Sequence, residues 1–551
     1  MQQSSGSGHN LGSLHLSRRG VLQGLGVATA ATALSATSSR IASADQEREA
    51  EVLEEATQSP PQTVGVLTSP DLVDAALNRL DELCRDILQR SGIPGLAVSV
   101  VSDGETVFTG GYGLRRVGAS GTVDGDTVFQ IASCSKSLGA TVIARQVAEG
   151  LVAWDTPIQQ LLPWFELADP WVSEHVTLGD LYAHRSGLSD HAGDDLEDLG
   201  YDRRTILERL RLLPLHAFRA HYAYTNFGLT AAAEAVAEAA GQDWADLCAA
   251  QLYRPLGMNR TSSRYADYRA RDNRADGHVP VEAGYQPLYQ RQPDAQSPAG
   301  GVSSSVHDMA RWMALILQGG DYEGQSLIAT DALLPAVSAQ VISSPSFAMD
   351  ARISTYGYGF GVGTEPSGRV SLSHSGAFAL GVGSNYLMLP SLGLGITVLT
   401  NAAPSGAGEA ISASFMDLVQ YGTVTRDWFS AYQPLMAPIV APVGELVGKS
   451  RPAGAQPPGP SSTYTGRYTN SYFGEAQVVE RAGGLYVVLG PHSQESLLEP
   501  WDGNSFIYRP RGENAPEGSV SRVAFDAVDN GMAGAMTIEF LNENGLGRFT
   551  R

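Results

Sequence analysis

The chain has 551 residues, 43% of them apolar and 17% charged, which is enough apolar matter to bury more than one core. A formal charge of −21 argues against nucleic acid or an anionic membrane surface as a partner, because both need clustered Lys and Arg to displace counterions. Basic residues are nearly all arginine, thirty-five against two lysines, so each lysine invites a local reason.

The first 44 residues read as an export signal. "LSRRGVLQGLGVATAATALSA" sets Arg18 and Arg19 ahead of a mildly apolar stretch, and Ala42-Ser43-Ala44 offers a small-residue cleavage site. The pattern resembles a twin-arginine signal, which implies a periplasmic or secreted protein with no stable membrane insertion after cleavage. No other stretch reaches the roughly 18 apolar residues that a membrane span needs. Cys84, Cys134 and Cys248 are widely spaced without a CxxC, so free buried thiols are expected, with a Cys84–Cys248 bridge as the alternative.

Residues 45–70, acidic and then Ser/Pro/Thr-rich, suit a spacer. From Asp71 a stripe of Leu72, Ala75, Leu80, Leu83 and Ile87 predicts a helix ending at Gly92. "GLAVSVVSDGETVFTGGYG" then gives two β-rich runs around an Asp-Gly turn, a hairpin signal. Helical patterns dominate from about 127 to 345. Strand character returns in "RVSLSHSGAF", "VGSNYLMLP" and "LGITVLTNAA", and "GEAISASFMDLVQYG" predicts a closing helix near 425. The chain must therefore return to complete one antiparallel sheet, an α+β arrangement over 71–425. Residues 426–462 are Pro/Gly-punctuated and read as a linker. Beyond them, 463–551 alternate short strands and turns at the spacing of a small barrel or sandwich.

Lys136 belongs to "IASCSKSLG", one helical turn after Ser133, so the amine and the hydroxyl can meet on one face. A serine hydroxyl needs a base beside it to act as a nucleophile. Lysine can be that base when burial or positive charge lowers its pKa, whereas arginine effectively cannot deprotonate. In "HYAYTNFG", Tyr224 and Asn226 can point a phenol and an amide into one cleft before an Ala-rich helix from Leu229. In "LSHSGAFALGVGS", His374-Ser375-Gly376 sits on a predicted strand, and the Ala377 amide can join that of Ser133 in an oxyanion hole.

SxxK, then YxN, then HxG, in this order and spacing, resemble the serine β-lactamase and penicillin-binding-protein superfamily, in its class C-like group of peptidases, D-aminopeptidases and esterases. "DTVFQIASCSKSLGA", "VTLGDLYAHRSGLSDH", "LYRPLGMNRT" and "SPAGGVSSSVHDMARWM" strengthen the likeness over 71–425. It implies a β-lactamase/transpeptidase-like fold, an antiparallel sheet flanked by helices plus a helical subdomain, with the site between them. It implies Ser133 as the acylated nucleophile, Lys136 as its base or proton shuttle, Tyr224 as general acid or base, and Asn226 as holder of the substrate amide. His374 stands where many β-lactamases carry a lysine, which points to the DD-peptidase and D-aminopeptidase branches, and Ser375 and Gly376 line the substrate strand. The last strands resemble an appended lipocalin-like barrel that can hold a ligand, cap the groove or mediate homo-oligomerisation.

The implied activity is hydrolysis of an amide or ester in a small-molecule or peptide substrate through an acyl-Ser133 intermediate, with no cofactor and no metal. The peptidase or amidase reading leads. A carboxylesterase with weak β-lactamase activity and a penicillin-recognising sensor without turnover are the alternatives. An α/β-hydrolase would need G-x-S-x-G, which the chain lacks, and the cluster of His184, His191, Asp194 and Asp195 reads as a structural loop rather than a metal site.

Overall fold

The computed structural model describes residues 68–526 and 531–551 and the backbone of 528–529; the expected export signal and nearly all of the spacer lie outside these. Helix α1 (Pro70–Ser91) starts where the Ser69 side chain accepts the Asp71 N–H and stops at Gly92, whose φ of 66° is left-handed. Its buried stripe is Ala76, Leu80, Cys84 and Ile87, while Ala75 is exposed. Leu80 and Ile87 of the expected stripe are buried; Ala76 and Cys84 share the contact with them, and Leu83 packs partly buried at its edge. β1 (Gly95–Ser102) and β2 (Glu105–Gly113) pair around Asp103-Gly104, both at positive φ, as a tight right-twisted hairpin requires.

The helical middle includes α2 (Ser135–Ala148), α3 (Asn226–Ala239) and α4 (Val306–Leu317). Strands β3 (Val341–Ser344), β4 (Ser354–Tyr356), β5 (Gly361–Thr364), β6 (Val370–Phe378), β7 (Val382–Leu389) and β8 (Leu394–Thr400) follow, then α5 (Ala407–Tyr421). The sheet runs β2-β1-β8-β7-β6-β5-β4-β3, every neighbour antiparallel, so the N-terminal hairpin is completed by the last strand before α5. β1 divides its side chains by the two-residue period: Leu96, Val98 and Val100 face α1 and α5, whereas Ala97 and Val101 face the core that includes α4. All three cysteines are buried free thiols.

The segment expected as a linker, 426–462, contains helix α6 (Trp428–Val440) despite Pro434 and Pro438 inside it. Prolines inside a helix remove a hydrogen bond and crowd the preceding turn. Here Trp428, Phe429, Tyr432, Met436 and Ile439 bury one face, and tertiary burial outweighs local propensity.

A closed eight-stranded antiparallel barrel follows: β9 (Gly466–Asn470), β10 (Gly474–Arg481), β11 (Gly484–Leu489), β12 (Gln494–Asp502), β13 (Ser505–Tyr508), β14 (Ser521–Phe525), β15 (Ala535–Ile538) and β16 (Arg548–Thr550). Tyr464, Tyr468, Phe506, Phe525, Met536 and Phe549 are buried in it, so side chains fill its interior. It is seated on the helical subdomain: Tyr201 Oη donates to the Phe473 carbonyl at 2.7 Å and Arg209 to that of Tyr472 at 2.7 Å. At Gly490 a Cβ would lie 2.1 Å from the Leu199 carbonyl oxygen, a contact only glycine allows.

Candidate active site

Ser133 lies in a single 3-10 turn, Ala132–Cys134, that leads into α2. The preceding Ala132 is fully buried at φ 44°, a left-handed conformation that costs a non-glycine residue of order 1 kcal/mol and is held by its surroundings. Lys136 follows one turn later, fully buried, with Nζ 3.3 Å from Ser133 Oγ, 2.8 Å from Asn226 Oδ1 and 2.9 Å from the Ala299 carbonyl oxygen. Burial lowers its pKa from 10.5 to about 7, against the opposing pull of the Asp194 carboxylate. A neutral amine has two N–H donors and one lone pair. Asn226 and Ala299 offer only acceptors and take the two N–H groups, which leaves the lone pair for the Ser133 hydroxyl.

Asn226 is the first residue of α3, three positions earlier than the sequence pattern suggested. Its Nδ2 donates to Asp194 Oδ2 at 2.9 Å, and the same oxygen lies 2.7 Å from His191 Nδ1. The chain Ser133–Lys136–Asn226–Asp194–His191 thus fixes the amide orientation and couples a buried carboxylate to the amine. Lys136 Nζ lies 4.5 Å from the centre of the Tyr224 ring. Burial drives the Tyr224 phenol far above its usual pKa, with a Ser133 hydrogen bond opposing, so Tyr224 is a neutral O–H donor at physiological pH.

β6 forms the opposite wall. It pairs with β5 only as far as Ser373 and with β7 along 372–378, so 374–378 has one open edge. Phe378 O accepts from Gly381 N–H and therefore points toward β7; by strand alternation the Ala377 N–H points to the open edge. A Cβ on Gly376 would stand 2.3 Å from Ile131 O and 2.9 Å from Ser133 N, so only glycine lets β6 run this close to Ser133. His374 donates Nδ1–H to the Ser375 carbonyl at 2.7 Å, which leaves Nε2 to accept from Tyr356 Oη at 2.8 Å. Burial, then the Lys136 charge, lower its pKa to about 3: a neutral imidazole with its lone pair occupied. Ser375 turns away from Ser133, its hydroxyl accepting from Asn385 Nδ2 at 3.1 Å and touching Glu409 of α5. Of the expected site residues the structure gathers Ser133, Lys136, Tyr224, Asn226, Gly376 and Ala377; it gives His374 a hydrogen-bonded place behind them and directs the Ser375 side chain to the helix layer.

A family model described as Beta-lactamase matches residues 80–420, more than half the chain. The chain belongs to the beta-lactamase family. A second model, a domain of unknown function (DUF3471), matches 450–546 and covers the barrel. An unguisins hydrolase of Aspergillus campestris is 28% identical over 71% of this chain and 75% of its own. Esterase EstB of Burkholderia gladioli is 27% identical over 62% and 94%, and the D-alanyl-D-alanine-carboxypeptidase/endopeptidase AmpH of Escherichia coli 24% identical over 64% and 90%. The octameric penicillin-binding protein homologue from Pyrococcus abyssi shares the fold, with a TM-score of 0.55 and 18% identity over 86% of this chain and 99% of that one. The protein is thus a beta-lactamase-family serine hydrolase with a C-terminal eight-stranded barrel.

In this beta-lactamase-family hydrolase Ser133 opens onto a cleft of about 1240 Å³, its mouth included. His191 and Asp194, expected as residues of a structural loop, both line the cleft, and so do Arg291, Glu197 and Gln296, which were not among the expected site residues. No motif announces them: Arg291 and Gln296 share one segment, and Glu197 lies on another, 94 positions before Arg291. Among the described residues no group of three or more His, Cys, Asp or Glu is arranged to hold a metal ion, and no helix is long and apolar enough to cross a membrane. The barrel and the stretch before it supply part of the wall: Val443, Gly444, Glu513, Asn514, Val520 and Phe540.

Proposed function

We propose that the protein hydrolyses an amide or ester bond through an acyl-enzyme on Ser133, as a peptidase or amidase of the D-aminopeptidase or DD-peptidase type. The observation that carries this reading is the placement of the Lys136 amine, fully buried and 3.3 Å from Ser133 Oγ, with the Asn226 and Ala299 oxygens to accept two N–H groups, so that loss of a proton leaves the lone pair to Ser133 Oγ. In acylation the Ser133 proton passes to Lys136 Nζ as Oγ bonds to the substrate carbonyl carbon. The amides of Ser133 and Ala377 stabilise the oxyanion. Collapse breaks the bond to the leaving nitrogen or oxygen, which takes its proton from Tyr224 while Lys136 re-protonates the phenol. Water then attacks the ester carbonyl, its proton returning through the same groups to Ser133 Oγ, and the acid is released.

The cleft also argues about the substrate. Its cation, Arg291, is paired with Glu197 at 2.5 Å and lies 3.8 Å from Glu513, and His374 is neutral. Asp194, Glu197 and Glu513 make the wall acidic. A substrate with a free carboxylate is disfavoured, so an amide or ester bearing a neutral or cationic group fits better, which favours the aminopeptidase type and keeps the esterase reading beside it. We place the protein outside the cytoplasm on the strength of the Arg18-Arg19 signal pattern. Brief exposure to a fluorophosphonate, read by intact mass, is expected to add one label to the wild type. Equal labelling of Ser133→Ala would sink the assignment. A panel of p-nitrophenyl esters, D- and L-amino-acid amides, D-Ala-D-Ala peptides and nitrocefin then ranks the substrates.

A further inference from the structure

The open edge of β6 ends where the barrel touches it. Ala379 follows the last residue of β6 and opens the turn in which Gly381 N–H donates to the Phe378 carbonyl; a trans peptide sets N–H opposite C=O, so the Ala379 N–H points away from β7, to the same side as that of Ala377. An extended substrate whose scissile carbonyl accepts from Ala377 would reach next for Ala379, as in strand addition to a sheet edge. That donor is already taken: Ala379 N–H donates to Glu513 Oε1 at 2.5 Å, and Leu380 N–H lies 3.4 Å from Oε2. Glu513 comes from the barrel loop between β13 and β14.

This loop is clamped at its root. Asp198 accepts from the backbone N–H of Glu513 at 3.1 Å and of Asn514 at 2.9 Å, and from Asn514 Nδ2 at 3.0 Å. A Cβ on Gly512 would lie 2.6 Å from Asp198 Oδ2, so the loop could not sit this low with another residue there. Arg291, buried with Glu197, adds a charge partner for the Glu513 carboxylate.

The direction of the substrate follows from the proton donor. Tyr224 lies beside His374, ring centroids 6.4 Å apart, at the start of the open edge. A leaving group that takes its proton from Tyr224 occupies that end, and the acyl group points toward Ala379. We propose that Glu513, delivered by the barrel, is the end-stop of the acyl side and sets how long an acyl group the enzyme accepts: about one residue beyond the scissile carbonyl. The proposal rests on the reading of Ser133 as nucleophile and Ala377 as oxyanion donor.

The test holds the leaving group constant and lengthens the acyl chain without stereochemistry, using the p-nitrophenyl esters of acetic acid, N-acetylglycine and N-acetyl-glycylglycine. Wild-type kcat/KM is expected to drop tenfold or more between the second and third. In Glu513→Ala the ratio of the longest to the shortest substrate should rise at least tenfold. Glu513→Asp keeps the charge but withdraws the carboxylate by one methylene, and a threefold rise is expected of it, which covers the case in which the alanine variant does not fold. Acyl-length dependence that is flat in the wild type, or unchanged in a folded Glu513 variant, overturns the end-stop. Should Ser133→Ala cleave all three esters like the wild type, the acyl-enzyme reading fails instead, so the two failures are told apart.

Discussion

Two nitrogen bases flank Ser133 from opposite walls, Lys136 from α2 and His374 from β6, and burial lowers the proton affinity of both. Lys136 comes to rest at about 7 and His374 at about 3. The hydrogen-bond partners separate them more than the pKa does. Asn226 and Ala299 present only acceptors to Lys136 and so leave its lone pair for Ser133, whereas Tyr356 presents a donor to His374 and takes its lone pair. A base is made by what its neighbours leave unsatisfied as much as by its desolvation.

Lys136→Arg keeps a charge but removes a titratable amine, and Ser133 acylation, followed by fluorophosphonate labelling rate, should fall by ~10²–10⁴, the usual range for a general base. His374→Asn should cost less than about tenfold, because the imidazole has no lone pair to offer. Near wild-type acylation in the arginine variant would move the base to Tyr224. Lys136→Met should also be more heat-stable than the wild type at pH 6. The folded pKa lies below the unfolded one, so the unfolded chain binds the extra proton between about 7 and 10.5 and stability rises with pH across that window. The methionine variant lacks this slope, and its Tm advantage should shrink by pH 9; an advantage equal at both pH values would contradict a depressed Lys136.

In the wild type, acylation needs the neutral amine, so its rate should climb with pH, tenfold per unit below about 7, and level off above. At pH 5 it stands roughly 100-fold below the plateau. Asp194→Asn removes the carboxylate that holds the proton on Lys136, and the acid limb should move to lower pH. A limb that stays in place would uncouple the Asp194–Asn226 arm from the amine.

What the sequence disclosed follows from how local each signal is. Ser133 and Lys136 are one turn apart, Tyr224 and Asn226 share a tripeptide, and Gly376 sits on a strand that alternation reveals, so these were legible. The Asp103-Gly104 hairpin was legible for the same reason. Arg291 and Glu513 were not, since each acquires its role only when the barrel loop meets Asp198, a contact across 315 positions of sequence. Helix α6 was hidden because Pro434 and Pro438 contradict a helix locally and only its buried aromatic face explains it. Ser375 was placed by motif on the substrate strand, but strand alternation turns its side chain to α5, which a tripeptide motif does not encode.

The smallest expected effect lies at Tyr356, and it separates the two walls most finely. Tyr356→Phe removes the donor to His374 Nε2 and leaves a buried acceptor without its partner, which costs about 1–2 kcal/mol of stability, read as a shift in the denaturation midpoint. Its phenol is buried and driven far above its usual pKa, so it gives no ionisation near neutrality that could move the acid limb. If His374 only positions β6, acylation should change less than threefold and the limb should stay at the same pH. A loss approaching that of Lys136→Arg would put Tyr356 and His374 in the proton route, and the division of labour between the walls would have to be redrawn.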